Sequence, residues 1–423
     1  MTQHAAGRSL LFIESNTSGT GRLFFSRARD LGCRPVLITS RPEKYGFLLE
    51  KDAPDVVHVP RVDEDTIADV IGREFRAGAD VAGITSSSEY FVAVAAAMAA
   101  RLGLPGPDAN RVRAARDKSH QREVLAAAGL PVPTFRIATS AAEASAAARR
   151  IGTPVVVKPV DGSGSVGVRA CVSAAEAGRH AASLLSQSER PPGERRVLVE
   201  SLIEGPEFSV EIISGRAIGI TRKHLGARPH FVEAGHDYPA VPTEIEPMLI
   251  ETAERGTALL GLQWGPLHWE MRVRGGRAYP MEVNPRLAGG FIPELIRHAE
   301  GIDLISETLR LVIGRPPELK PGWRRHSSIR FLFAPAPGAL VAADGIDEAR
   351  AMDGVVDVAL YRAIGDTVTV AGDFRDRIGH VITCADRWDD AAAIAVRARD
   401  RVRIGVERLE TAAVDASTRY GAA

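Results

Sequence analysis

Between Leu10 and Leu104 the chain alternates short aliphatic or β-branched runs with segments whose apolar residues recur at helical spacing. The runs "LLFIE", "PVLIT", "DVVHVP" and "VAGITS" read as strands, and helices are predicted near 20–32, 64–77 and 88–102. Alternation of this kind predicts a parallel sheet with helices on its faces. A Pro- and Gly-rich stretch, "LGLPGPDAN" at 102–110, then marks a boundary. Beyond it a helix starts near Asp117 and stops at Gly129, and the strands "PVVVKP", "VGVRACV", "RRVLVES", "FSVEIIS" and "GRAIGIT" follow one another mostly through short turns. Hairpin-linked strands predict an antiparallel sheet in an α+β unit. A third unit is expected after Pro316, Pro317 and Pro321, with strands "SSIRFLFA", "VDVALYR" and "GHVITCA" around short helices. The pattern thus divides the chain into an α/β unit over 1–107, an α+β unit over 108–315 and a second α+β unit over 316–423.

With 423 residues, 45% hydrophobic and 25% charged, each unit is long enough to bury its own core. Lys+Arg and Asp+Glu both total 53, so no overall field recruits nucleic acid or an anionic membrane, and neither is expected as a partner. The apolar run in "MTQHAAGRSLLFIESN" is too short for a secretion signal, and the most apolar stretch, "YFVAVAAAMAARLGL", ends short of a membrane span. Cys33, Cys171 and Cys384 are too scattered for a metal site and odd in number for a disulfide framework; buried thiols in a reducing cytoplasm are expected.

Two loops are rich in glycine and hydroxyl residues. The first, "ESNTSGTG" from Glu14 to Gly21, lies between a predicted strand and a predicted helix. It reads equally as an anion site made of backbone N–H groups or as a tight turn that needs Gly19 and Gly21. The second, "GSGSVG", sets Gly162, Gly164 and Gly167 at the spacing of a dinucleotide fingerprint. That fingerprint requires a helix at once, because the pyrophosphate sits on the helix N-terminus. Here the β-branched Val166, Val168 and Val172 follow, so the loop joins two strands. A Gly/Ser hairpin suits a flexible lid over a polyphosphate, with backbone N–H groups and the hydroxyls of Ser163 and Ser165, on either side of Gly164, as donors.

Further residues give this lid something to close over. Lys158 ends the apolar strand before it, where partial desolvation strengthens pairing with a phosphate, and Lys118 lies upstream in "RDKSHQ". In "VLVESLIEGPEFSVEI", Glu200 and Glu207 flank a Gly-Pro turn, placed to accept from ribose hydroxyls while the backbone of 200–203 offers an amide edge to adenine. In "LHWEMRVRGGRAYPMEVNPRLAGG", two strands join at Gly275-Gly276. Residues two apart share a strand face, so Glu282 points with Asn284, and His268 with Glu270. Two carboxylates and an amide oxygen make an oxygen-rich site suited to Mg²⁺. Arg286 follows, placed to clamp a transferring phosphoryl group. A core role on its strand is an equal reading for His268.

Together "RDKSHQ", "KPVDGSGSVG", "VESLIEGPEFSVE" and "MEVNPR" resemble the ATP-grasp superfamily. The flanking segments resemble its carboxylate-amine ligase branch, above all the bacterial L-amino acid ligases. The resemblance implies an ATP-grasp fold: an N-terminal parallel α/β domain, a central antiparallel ATP-binding domain with a glycine-rich lid subdomain over about 133–203, and a C-terminal α+β domain. It implies that Lys118 and Lys158 contact ATP phosphates, that Glu200 with the backbone at Ser201 and Leu202 holds adenine, and that Glu207 holds the ribose. Glu270, Glu282 and Asn284 would bind two Mg²⁺, with Mn²⁺ as a possible substitute, and Arg286 would steady the γ-phosphate. The segment 221–240 is similar to a substrate loop with Glu233 and His236 at its tip, and Gly289-Gly290 would seat a substrate carboxylate.

The reaction so implied is ATP-dependent amide formation between an amino acid or small carboxylic acid and an amino acid amine, through an acyl phosphate, in a cytoplasmic homodimer. His268 would orient the amine or a carboxylate. The alternatives are a biotin-carboxylase-like or purine-pathway ligase, against which no biotinyl-carrier motif is present, and a non-catalytic ATP-binding module, against which the chain keeps Glu270, Glu282, Asn284 and Arg286 together.

Overall fold

The computed structural model describes residues 7–17, 19–49, 53–75, 80–240 and 243–408. The first unit is a four-stranded sheet in the order Asp55–His58, Arg34–Thr39, Ser9–Ile13, Val81–Thr85, every pair parallel as the βα alternation predicts. Alternation along Ser9–Ile13 sends Leu10 and Phe12 into one apolar cluster and Leu11 and Ile13 into another, so both faces are covered. The predicted helices form as Leu23–Asp30, Glu64–Glu74 and Val92–Arg101. Positions 76 and 77 of the second prediction, and the termini 1–6 and 409–423, lie outside the described residues.

A smaller antiparallel sheet carries the second glycine-rich loop. Its strands run in the order Phe135–Ala138, Val197–Ser201, Val155–Pro159, Arg169–Cys171, and the loop is the hairpin between the last two. The strand after the loop is shorter than predicted, because 164–167 form the turn itself. Helices Ala141–Ile151 and Ala174–Gln187 cover one face of this sheet. Each opens on the sequence S-A-A-E: Ser140 and Ser173 accept from the N–H groups of Glu143 and Glu176, both at 3.2 Å, and the glutamates reach back to the N–H groups of Thr139 and Val172.

The main sheet has eight strands in the order Arg277–Asn284, Pro266–Arg274, Glu207–Ile213, Arg216–Leu225, Glu233–Tyr238, His326–Phe333, Arg377–Ala385, Val355–Leu360. Every pairing is antiparallel. The segments on either side of Pro316 therefore share one sheet, joined through Glu233–Tyr238 and His326–Phe333. On one face Phe208, Val210, Ile212, Leu267, Trp269, Met271 and Val283 form a buried cluster with helix Glu246–Leu260. Gly256 of that helix lies so close to the Trp269 ring that a Cβ would sit 2.4 Å from it. The opposite face carries the charges.

Candidate functional site

The polar positions of the main sheet stack into three cross-strand rows. Arg272 pairs with Glu207, Glu207 with Lys223 and Lys223 with His236. Glu282 pairs with Glu270, which pairs with Ser209. Asn284 pairs with His268, which pairs with Glu211. Strand periodicity builds this face, because each residue lies two positions from the next on its own strand. A register shift leaves Met281 unopposed, and both Met281 and Glu282 line the cleft.

Lysines from two other elements reach the same face. Asp117 caps helix Lys118–Ala127 by accepting from the Ser119 N–H at 2.9 Å, which sets Lys118 in the first turn. Its Nζ lies 3.0 Å from Glu282 and donates to the Gly162 carbonyl at the start of the lid. Gln121, one turn on, both donates to the Val283 carbonyl at 2.9 Å and accepts from its N–H at 3.0 Å, fixing the helix to the strand that bears Glu282 and Asn284. Lys158 lies 2.5 Å from Glu200, whose other oxygen meets Arg122 at 3.1 Å. Burial draws the Lys158 ammonium below its ordinary pKa, and Glu200 offsets part of that. The Glu200 carboxylate is thus bound by two cations, and Ser201 and Leu202 beside it line the cleft.

The acids of the rows hold fixed counter-charges. Lys223 is buried, 2.5 Å from Glu233, 2.6 Å from Glu270 and 3.6 Å from Glu207. Burial alone would lower its pKa, but Glu233, Glu270 and Glu207 together raise it well above the usual lysine value. His268 bridges Glu211 at 2.8 Å and Glu270 at 3.0 Å. Burial opposes its charge, but Glu211 and then Glu270 outweigh burial and push its pKa up to about 9. This environment favours the imidazolium form, with one ring nitrogen toward Glu211 and the other toward Glu270. Arg272 holds Glu207 at 2.9 Å and donates to the Ile203 carbonyl at 2.9 Å. Arg286 reaches out of the sheet to Glu89, with Nε at 2.7 Å. Glu89 lies in the loop between Val81–Thr85 and Val92–Arg101, so the first unit orients this arginine.

These groups surround a cleft of about 150 Å³. Lys118, Lys158, Ser163, Gly164, Ser165, Glu200, Ser201, Leu202, Glu207, Glu233, His268, Glu270, Glu282, Asn284, Arg286, Gly289 and Gly290 all line it. His236 does not: it is buried behind Gly290, where a Cβ would lie 2.5 Å from its Nε2. Glu233 and His236, expected at a loop tip, stand on strand Glu233–Tyr238, because the 221–240 segment folds as a hairpin with its turn near 226–232. Sequence reasoning missed Lys223, Glu211, Arg272, Arg377, Gln121 and Glu89. Arg272 and Glu211 carried a signal, two positions along a strand from Glu270 and four from Glu207 on the same faces; Glu89 and Arg377 carried none.

The donor set at the strand pair fits Mg²⁺. Glu270 and Glu282 are register partners, partly exposed to the cleft, with the Asn284 amide on the same face. Among the described residues no group of three His, Cys, Asp or Glu forms a metal site by itself, so further oxygens would come from Asn284 and substrate phosphates, as Mg²⁺ commonly takes them.

Comparison with known proteins agrees with this architecture. Family models match for an ATP-grasp N-terminal domain over residues 25–106, an ATP-grasp domain over 151–294 and an L-amino acid ligase C-terminal domain 2 over 330–407. The chain belongs to the ATP-grasp superfamily, in the branch that carries the L-amino acid ligase C-terminal domain. It is 37% identical over 398 residues to uncharacterized protein y4rH of Sinorhizobium fredii, covering 93% of this chain and 82% of that one. It is 26% identical over 330 residues to alanine–anticapsin ligase of Bacillus amyloliquefaciens, covering 68% and 70%. The crystal structure of an L-amino acid ligase from Bacillus licheniformis superposes with a TM-score of 0.83 at 22% identity, over 96% of this chain and all of that one. Among the described residues no helix is long and apolar enough to cross a membrane.

Proposed function

We propose that the protein is an ATP-dependent ligase that activates a small carboxylate, that of an amino acid or a related acid, and joins it to the amine of an amino acid. The observation that carries this reading is one cleft holding two lysines under a glycine-rich lid and facing carboxylates with an amide on the opposite wall. ATP lies under the lid, with Lys118 and Lys158 on its phosphates, the chain at Ser201 and Leu202 along adenine and Glu207 at the ribose. Glu270, Glu282 and Asn284 would hold Mg²⁺, two ions in this reading, which when bound would supply positive charge to offset that on the phosphoryl group. A carboxylate oxygen attacks the γ-phosphorus and ADP leaves; the deprotonated amine then attacks the acyl carbon and inorganic phosphate leaves.

The chain's own part is positioning and charge. Arg286, aimed by Glu89, steadies the transferring phosphoryl group. His268, held between Glu211 and Glu270, orients the Glu270 carboxylate. Glu233 and the Gly289-Gly290 turn lie on the amino acid side, with His236 packed behind that turn. The similarity to alanine–anticapsin ligase supports amino acids as substrates. A homodimer belongs to the same reading and is tested by light scattering.

The test is ADP and phosphate release from purified protein with Mg²⁺-ATP, screened against pairs of amino acids, with mass spectrometry of responding mixtures. Turnover that needs two amino acids, with a product at their summed mass less one water, is the expected result. ATP binding with no amide product across the panel contradicts it.

A further inference from the structure

The turn at 371–377 is far in sequence from the lid and from most of the cleft, yet it touches both. It is rigidly built. Buried Asp376 accepts from the N–H groups of Ala371 at 2.7 Å and Gly372 at 2.8 Å, and buried Asp373 accepts from the N–H of Arg375 at 3.0 Å. This fixes Phe374 against the tip of the lid. Its N–H donates to the Gly164 carbonyl at 3.2 Å, and its ring lies so close that a Cβ on Gly164 would be 2.5 Å from it. Gly164 and Ser165 both have left-handed backbones, φ 60° and 64°. For Ser165 that costs about 1–2 kcal/mol, so the tip needs contacts from outside to hold it. One is the hydrogen bond from the Ser165 hydroxyl to the Phe231 carbonyl at 3.1 Å; another joins the hydroxyls of Ser163 and Tyr90 at 3.1 Å.

The other end of the turn reaches the amino acid side of the cleft. Arg377 donates from Nε to the Phe374 carbonyl at 3.2 Å and from Nη1 to Glu233 at 3.0 Å, with its guanidinium 4.4 Å over the Phe331 ring. Glu233 holds Lys223, and Lys223 holds Glu270. The 229–231 segment closes the junction: Pro229 accepts from the Ala170 N–H on the lid's return strand at 3.0 Å, and Gly372 packs on the His230 ring.

We propose that this turn is a latch: Phe374 holds the lid shut over the nucleotide, and Arg377 ties it to Glu233, so that full closure depends on the amino acid side of the cleft being in order. The consequence rests on the ligase reading. In an open cleft water attacks the acyl carbon, and the carboxylate and inorganic phosphate leave with no amide made; a closed lid excludes that water. Phe374 and Arg377 are positioning residues in this scheme.

The test compares wild type with Phe374→Ala, Phe374→Leu, Gly164→Ala and the double variant Gly164→Ala/Phe374→Ala. Two readouts are taken: amide formed per ADP, and hydrogen exchange of amides 162–168 with Mg²⁺ and a non-hydrolysable ATP analogue. Phe374→Ala lowers amide per ADP about threefold or more and speeds lid exchange about tenfold, with exchange in helix Trp388–Arg401 unchanged, and Phe374→Leu restores most of both. In the Gly164→Ala background, Phe374→Ala costs less than in wild type, because the clash it relieves and the contact it removes are the same one. Wild-type coupling and lid protection in Phe374→Ala overturn the latch. Should that variant fail to fold, Gly164→Ala decides, since unchanged values there overturn it equally. If wild type forms no amide with any pair, the ligase reading fails, and the exchange measurement still decides the latch.

Discussion

The two glycine-rich loops differ in what surrounds them. In the Glu14–Gly21 loop, Glu14, Ser15 and Asn16 are tied to neighbouring segments of the first unit. Buried Glu14 accepts from Thr39 at 2.7 Å, from the Ser40 N–H at 2.8 Å and from the Tyr45 hydroxyl. Ser87 bonds the Ser15 hydroxyl at 2.7 Å and accepts from the Asn16 N–H at 2.9 Å, and Gly21 is needed because a Cβ would collide with the Asn16 carbonyl. The close approach at Gly21 is what the tight-turn reading asks for, and none of the loop's described residues lines the cleft. The Gly162–Gly167 loop instead lies over Lys118 and Lys158, whose ammonium groups pair with the acids Glu282 and Glu200 of the cleft. Neutral hydroxyl donors close a loop permanently; charged pairs around a cleft can be redistributed when a charged ligand enters. Composition does not separate the two, but the partners do.

Substitutions on each side sharpen the contrast, the greatest effect being at the metal-facing acids. Glu282→Gln keeps the shape but removes a charge, and ADP formation is expected to fall by about 10²–10³-fold in a steady-state assay. Unchanged turnover would place the chemistry elsewhere. Lys118→Met is expected to raise the KM for ATP by about 10-fold or more, with a smaller effect on the KM for amino acids. An effect on the amino acid KM alone would contradict its place under the lid.

The next effect is on stability against pH. His268 has its pKa raised to about 9 from an ordinary 6.5, so between those values the folded chain holds more protons at this site than the unfolded chain. Its stabilisation is fully present below about 6.5 and is lost as pH rises through about 9, on the order of 3 kcal/mol in all. Denaturant midpoints should therefore drop across that window, and His268→Gln should flatten the slope. The smallest effect is Ser87→Ala, which removes the hydroxyl that holds Ser15 and Asn16 of the first loop and is expected to cost about 1 kcal/mol, read as a lowered Tm, and to leave the KM for ATP unchanged. A rise in that KM would return the first loop to the list of ligand sites.

What the sequence made legible follows from how each part is encoded. The paired acids lie on short strands where periodicity sets which side chains point together, as with Glu282 and Asn284 or His268 and Glu270, and the lid was marked by its glycines between two strands, while the roles of Lys118 and Lys158 came from the resemblance. The parallel sheet was legible for a similar reason, since its βα rhythm is local. Glu89 and Arg377 were not, because each meets its partner across a tertiary contact: Arg377 reaches Glu233 over 144 positions, and Glu89 reaches Arg286 over 197. The sharing of one sheet across Pro316 was hidden likewise, since strand pairing at that distance leaves no local mark.

On the proposed reading, the cleft under the second loop makes an acyl phosphate. This step is tested most directly by supplying the carboxylate substrate labelled with ¹⁸O in its carboxyl group and analysing the inorganic phosphate by mass spectrometry. One ¹⁸O in the phosphate is expected for each amide formed, because the oxygen that attacks phosphorus leaves with it. Amide formed alongside unlabelled phosphate would contradict it.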